Sequence, residues 1–301
     1  MGYRYHTCDV FTDTRFGGNP LAVLPEASGL SARQMQQIAR EFNLSETSFV
    51  FPPEAGHTRK VRIFTPASEL PFAGHPNVGT AFVLASTGAL GELRSPLTVT
   101  FEEAAGPVPI GIAVNDGRVT SCELAAPQRL SLGKTVPAPL VAAALSLSPD
   151  DVLTDTHPPQ VASCGLPFLI AELKDRSALE RSRVNQAGFD GIMAEGVRPS
   201  LYAYARSADG FELRARCFEA GGVPEDPATG SAGCALAGVR ALLTAEANST
   251  FSYRIIQGVE MGRPSLLIAR AEKIDGTVRT WIGGTCVLVS EGFIDVESAD
   301  R

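Results

Sequence analysis

Two stretches of the chain have almost no polar face. One runs from about Pro76 through Val78, Ala81, Phe82, Val83 and Leu84 to Gly88. The other runs from about Ala232 through Cys234, Ala235, Leu236 and Ala237 to Leu243. A helix that is apolar all round is a buried helix, so each is expected to be enclosed by strands of its own domain. Ahead of each lies a segment that alternates with period two, Val61-Arg62-Ile63-Phe64 and Leu213-Arg214-Ala215-Arg216-Cys217. That is the pattern of a half-buried strand. A third helix is amphipathic: between Ser31 and Phe42, the residues Met35, Ile38, Ala39 and Phe42 make one apolar stripe. Ser31-Ala32-Arg33-Gln34 reads as a capping box, and Asn43 suits the left-handed position after the last turn. Leu44 to Phe51 then becomes rich in β-formers, so Glu46 stands where a helix hands over to a strand.

The two apolar helices belong to an internal repeat. Arg62-Ile63-Phe64 is followed by Glu69-Leu70-Pro71-Phe72-Ala73-Gly74-His75. Arg216-Cys217-Phe218 is followed by Glu225-Asp226-Pro227-Ala228-Thr229-Gly230-Ser231. Both read R-x-F and then E-x-P-x-x-G, with two extra residues in the second linker. A fainter echo pairs Gly18-Asn19-Pro20-Leu21-Ala22-Val23 with Gly165-Leu166-Pro167-Phe168-Leu169-Ile170. Two echoes in the same order point to a duplicated domain. The break is expected near Ala126-Pro127, giving domains 1–126 and 127–301, with the return of the last strand to the first domain left open. The expected fold class is α+β, two similar domains, each with a central helix wrapped by antiparallel strands.

Composition narrows the chemistry. A chain of 301 residues favours two domains, and 44% hydrophobic with 20% charged residues is a globular balance. A net charge of −7 argues against a nucleic-acid partner, which needs a basic face. No apolar run approaches the ~20 residues of a bilayer span, and the first residues carry no apolar signal region. A cytoplasmic protein without a membrane partner is therefore expected. The six cysteines form no CxxC pair and the four histidines no HxH or HExxH pattern, so no metal is expected. Gly133-Lys134-Thr135 lacks the earlier glycine of a phosphate loop, and Thr229-Gly230-Ser231-Ala232-Gly233 lacks the first glycine of a nucleophile elbow.

The helix starts are the candidate site. His75, held extended by Pro76, is expected as the N-cap of its helix, and Ser231 holds the same station in the second copy. Gly74 and Gly230 would let a ligand approach the backbone. Two such N-termini facing each other would bind an anion, which implies a small carboxylate. The plainer reading is two good caps with flexible glycines; the duplication favours function. The ionisable groups nearby are Glu46, His75 and Asp226, with Glu69 and Glu225 in the repeat itself. Proton transfer at carbon needs such a positioned base.

Five ordered motifs resemble the PhzF family of phenazine-biosynthesis-like isomerases, relatives of diaminopimelate epimerase. They are Gly18 to Val23, Asn43 to Thr47, Glu69 to Pro76, Glu225 to Ala232 and Gln257 to Ser265. The resemblance spans essentially the whole chain. It implies the diaminopimelate-epimerase-like fold, in which the strands of each domain close into an antiparallel β-barrel around the central helix. It also implies an active site in the cleft between the domains, a homodimer, and no metal or organic cofactor. Its best-known activity moves a proton from C3 to C1 of trans-2,3-dihydro-3-hydroxyanthranilate. By motif, Glu46 resembles the acid/base that carries the proton, with His75 and Asp226 orienting the substrate. Ser231, Gly74, Gly230 and Asn19 resemble the substrate-binding set. The epimerases' paired cysteines align with Ala73 and Thr229, which cannot abstract a proton. A cofactor-independent isomerase of a small cyclic or unsaturated amino or hydroxy acid is the leading reading. The alternative is a catalytically weak binding or protein-interaction member of the fold. A hydrolase using Ser231 with His75 is disfavoured, because two N-caps on different helices need not approach.

Overall fold

The computed structural model describes residues 2–197, 200–219 and 225–296. The chain forms two compact units, 1–125 together with 283–301, and 126–282. The first begins with β1 (Gly2–Val10), β2 (Asn19–Leu24), α1 (Ala32–Phe42), β3 (Glu46–Phe51), β4 (Arg59–Phe64) and β5 (Glu69–Leu70). It continues with α2 (Gly74–Ser86), β6 (Leu97–Glu103), β7 (Gly106–Asn115) and β8 (Arg118–Ala125). The second contains β9 (Ser131–Thr135), α3 (Ala138–Ala144), β10 (Gln160–Ser163), β11 (Pro167–Glu172), α4 (Arg176–Arg181) and α5 (Gln186–Ala194). After these come β12 (Ser200–Arg206), β13 (Leu213–Glu219), α6 (Gly230–Leu242), β14 (Ser249–Gln257), β15 (Ser265–Ile274) and β16 (Thr277–Gly284). Strand β17 (Cys286–Asp295) pairs antiparallel with β1, so the last strand belongs to the first unit.

The class is α+β, but the sheets are mixed rather than antiparallel. In the first unit β2–β3 and β4–β6 are parallel; in the second β11–β12 and β13–β14 are. The reason is the helix inside each connection: α1, α2, α4 with α5, and α6 carry the chain back over the sheet, which a parallel pair requires. The order of pairings is the same twice. An antiparallel pair (β1–β2, β10–β11) meets a parallel one, then an antiparallel one (β3–β4, β12–β13), then a parallel one. Even the last register agrees. Arg59 and Lys60 face Phe101 and Glu102, while Leu213 and Arg214 face Ile255 and Ile256. The turns Asp116-Gly117 and Asp275-Gly276 repeat as well, all four residues at positive φ.

Helix α2 is buried at every position from Gly74 to Ala85 and packs against β1, β2, β3, β7, β8 and β17. Helix α6 is enclosed similarly against β10, β11, β14 and β15. Close approach needs glycine: a Cβ on Gly79 would stand 2.6 Å from Leu21 Cδ2 and 2.7 Å from Val10 Cγ2. The amphipathic α1 starts as its sequence requires, with the Ser31–Gln34 capping box formed and Asn43 left-handed. Its stripe meets Leu24, Phe49 and Phe64 on the opposite side of the sheet from α2. β13 departs from the half-buried expectation, because α4 covers its outer side and leaves Arg214 and Arg216 buried.

The R-x-F…E echo has a physical content. Arg62 forks onto Glu69 at 2.6 and 2.7 Å and lies 5.3 Å over the Phe64 ring. Arg216 forks onto Glu225 at 2.8 and 2.6 Å, 4.7 Å over Phe218. Glu69 and Glu225 are thus clamps holding the segment before each apolar helix. Only the second is buried, and Arg216 also donates to the Leu179 and Ser182 carbonyls. Removing one partner of a buried pair strands a charge, whereas an exposed pair contributes little. Urea unfolding should therefore show Arg216→Ala losing about 3–5 kcal/mol, and Arg62→Ala about 1 kcal/mol or less.

Candidate active site

Both apolar helices begin two residues earlier than the sequence suggests. Their N-caps are Ala73 and Thr229, and His75 and Ser231 are the second helical residues. Pro76 tolerates this because the N–H it lacks is one that a first turn leaves unpaired. Ala73 has no capping side chain, and the Thr229 hydroxyl is turned to Asp226 instead. The first-turn N–H groups of both helices are therefore not covered by their own N-cap side chains.

In the first unit three of the expected residues meet. Leu21 faces α2, as its contact with Gly79 shows. Asn19 lies two residues before it, and Glu46 is Leu21's partner in the β2–β3 register. Strand pleating puts all three on the α2 side. There Asn19 Nδ2 lies 3.4 Å from His75 Nδ1, and Glu46 Oε2 lies 3.3 Å from His75 Nε2. An amide nitrogen can only donate, so Nδ1 accepts and the proton of the neutral ring sits on Nε2, towards Glu46. That last contact lacks hydrogen-bond alignment. Burial pushes the His75 imidazole down to about 3. Glu46 is half-buried. In the same unit Ser48 Oγ, Asn77 Oδ1 and Thr80 Oγ1 are buried without a hydrogen-bond partner among the described residues. Unused polar capacity of this kind marks a place for water or a polar ligand.

In the second unit Asp226, Gly230 and Ser231 lie on one loop and helix start. Thr229 Oγ1 donates to Asp226 Oδ2 at 2.6 Å. Sequence reasoning left Gln257 without a role, although it opens one of the motifs. The buried Gln257 amide donates to Asp226 O at 2.8 Å and to Thr229 Oγ1 at 3.0 Å. Its oxygen accepts from Thr229 N at 3.2 Å and from the Tyr202 hydroxyl at 3.0 Å. Gly258 follows with φ +75°, and a Cβ there would stand 2.6 Å from Pro227 O. The pair Gln257-Gly258 therefore fixes the loop that carries Asp226. Among the described residues no group of three or more His, Cys, Asp or Glu could hold a metal ion. No helix among them is long and apolar enough to cross a membrane.

The chain belongs to the phenazine biosynthesis-like family, whose model matches residues 8–292. It is 38% identical to an uncharacterized isomerase of Mesorhizobium japonicum, over 96% of this chain and 97% of that protein. It is 35% identical to the trans-2,3-dihydro-3-hydroxyanthranilate isomerase of Pseudomonas aeruginosa, over 90% and 91% of the two chains. The crystal structure of a PhzF-family phenazine biosynthesis protein from Bacillus anthracis matches with a TM-score of 0.89. That match is at 25% identity and covers 98% of this chain and all of that one.

The buried neutral His75 has a cost in acid. Its folded pKa lies below the ordinary value of 6.5, so the unfolded chain takes up the proton first as pH falls. Its contribution to stability is therefore lost progressively from pH 6.5 downward to about 3. Unfolding free energies from urea titrations should fall across that window by up to about 1.4 kcal/mol per pH unit from this group. His75→Gln should flatten that part of the profile.

Proposed function

We propose that the protein is a cofactor-independent isomerase that moves a proton on a small cyclic or unsaturated amino or hydroxy carboxylic acid. The substrate class is that of the Pseudomonas aeruginosa relative, trans-2,3-dihydro-3-hydroxyanthranilate. The observation that carries the reading is Glu46, half-buried and 3.3 Å from a neutral histidine. A carboxylate there accepts a proton from carbon and gives it back, while the Nε2–H of His75 steadies its charged form. In the reaction the C3–H bond breaks, its electron pair moves into the conjugated system, and the same proton is delivered to C1. One group can do both because the proton leaves and returns without a second reactant.

Binding is assigned to the helix starts. Backbone N–H groups following Gly74 and Gly230, the Ser231 hydroxyl and the Asn19 amide suit a carboxylate and its neighbouring polar groups. Asp226, its loop fixed by Gln257, orients the substrate amine or hydroxyl. The reading carries with it a homodimer in the cytoplasm, with no organic cofactor or metal and neither nucleic acid nor membrane as partner.

Incubation with trans-2,3-dihydro-3-hydroxyanthranilate, followed by the diene absorbance, tests it. Glu46→Gln keeps the shape but cannot carry the proton, so turnover should fall by at least about 10²–10⁴-fold. Carboxylate binding measured by calorimetry should be nearly unchanged. His75→Asn and Asp226→Asn should slow turnover less. A Glu46→Gln enzyme with normal turnover would assign the shuttle elsewhere. Binding without turnover by the unaltered protein would favour a binding protein of the same fold.

A further inference from the structure

The duplication gives Gln257 a counterpart. Gln257 ends β14 and stands opposite Ala215 in the parallel β13–β14 register. In the first unit the same register runs from Arg59–Phe101 through Lys60–Glu102, so the matching residue is Glu103, the last of β6. Gln257 reaches the N-cap of α6, Thr229, directly. Glu103 instead faces Asn77, in the first turns of α2. Asn77 Nδ2 in turn donates at 3.0 Å to the carbonyl of Ala73, the N-cap of α2. Position 233, the repeat equivalent of Asn77, is a glycine. The second unit thus spans with one long amide what the first spans with a carboxyl and a short one.

The chemistry of Glu103 suits that station in one protonation state. It follows Val99 and Phe101 on the inward side of β6, and both its carboxyl oxygens are buried. Neither accepts a well-aligned hydrogen bond among the described residues, and the Asn77 amide is its polar neighbour. The surrounding charges are engaged elsewhere. On β4, Arg62 is held by Glu69 of β5, and Lys60 by Glu54. Glu102, next to it on β6, accepts from the Glu54, Ala55 and His57 N–H groups. From β7 the facing residue is Gly106. A protonated carboxyl is the group nearest in shape and charge to the glutamine at the equivalent position.

We infer that Glu103 is a positioning residue for the Ala73-Gly74-His75 turn, acting through Asn77 in its protonated form, so that loss of its proton disturbs the helix start that the proposed function uses. Burial supports this by pushing the carboxyl up to about 8, with the Asn77 amide pulling slightly the other way. The group is therefore neutral at pH 7 and charged on the alkaline side. The inference rests on the reading of Gly74 and His75 as part of the site. Its test uses no substrate, so a failure to isomerise would leave it standing.

The experiment is an NMR titration of the full chain between pH 4 and 10, with ¹³C-labelled glutamate and ¹⁵N amides. The Glu103 Cδ resonance should titrate near pH 8, and the Gly74 and His75 amides should shift with the same midpoint. Glu103→Gln should remove that midpoint from both amides while leaving their neutral-pH positions close to the unaltered protein's. Asn77→Ala should leave the Glu103 titration in place and uncouple the amides from it. Glu103→Ala should displace the amides at every pH, with Glu103→Gln the rescuing variant. Titration of Glu103 in the ordinary carboxylate range would overturn the inference. So would amides that keep their alkaline shift in Glu103→Gln. Were a variant to fail to fold, the two midpoints in the unaltered protein would still decide.

Discussion

An apolar helix enclosed on every side leaves its first N–H groups with nowhere to turn. α2 is such a helix, buried from Gly74 onward, and α6 is its copy. A helix end in solvent is satisfied by water; an enclosed one needs donors and acceptors supplied by design or by a ligand. The features of interest here gather at those two ends. In the first unit they are the first residues of β2 and β3, which bring Asn19 and Glu46, and the last residue of β6. In the second they are the Asp226 loop and the last residue of β14. The Arg–Glu forks hold the segments that lead into both helices.

What could be read from the chain depended on how local its cause was. The capping box at Ser31 and the left-handed Asn43 involve residues within a turn of each other, and they form as read. The starts of α2 and α6 lie two residues before the positions their sequences favour: proline disfavours helical backbone at His75, and the repeat carries that expectation to Ser231. Enclosure of that turn prevails. The parallel pairings were beyond the sequence, since period-two alternation tells which side a residue faces and not which strand lies beside it. The Asp-Gly turns after β7 and β15 were legible hairpin signals and would have strengthened the repeat.

The site was legible in its residues and not in its supports. Glu46, His75 and Asn19 come together because two parallel strands start at the same end of α2, which motif spacing cannot convey. Gln257 and Glu103 lie far along the chain from the turns they serve. A better clue was available for Glu103: a carboxylate continuing the apolar positions Val99 and Phe101 on one side of a strand must pay for its burial somehow.

The first unit is discontinuous, its final strand arriving only after residues 126–282 have been made. On the ribosome β1 emerges first but waits without its β17 neighbour through the synthesis of the whole second unit. The later unit has nearly all of its strands before the earlier one is complete, so the order of completion reverses the order of translation. Until β17 has been made and has reached it, one edge of β1 presents unpaired backbone groups. Its charged Arg4, with Glu291 not yet there to meet it, is the kind of side chain that discourages another chain from pairing with that edge first.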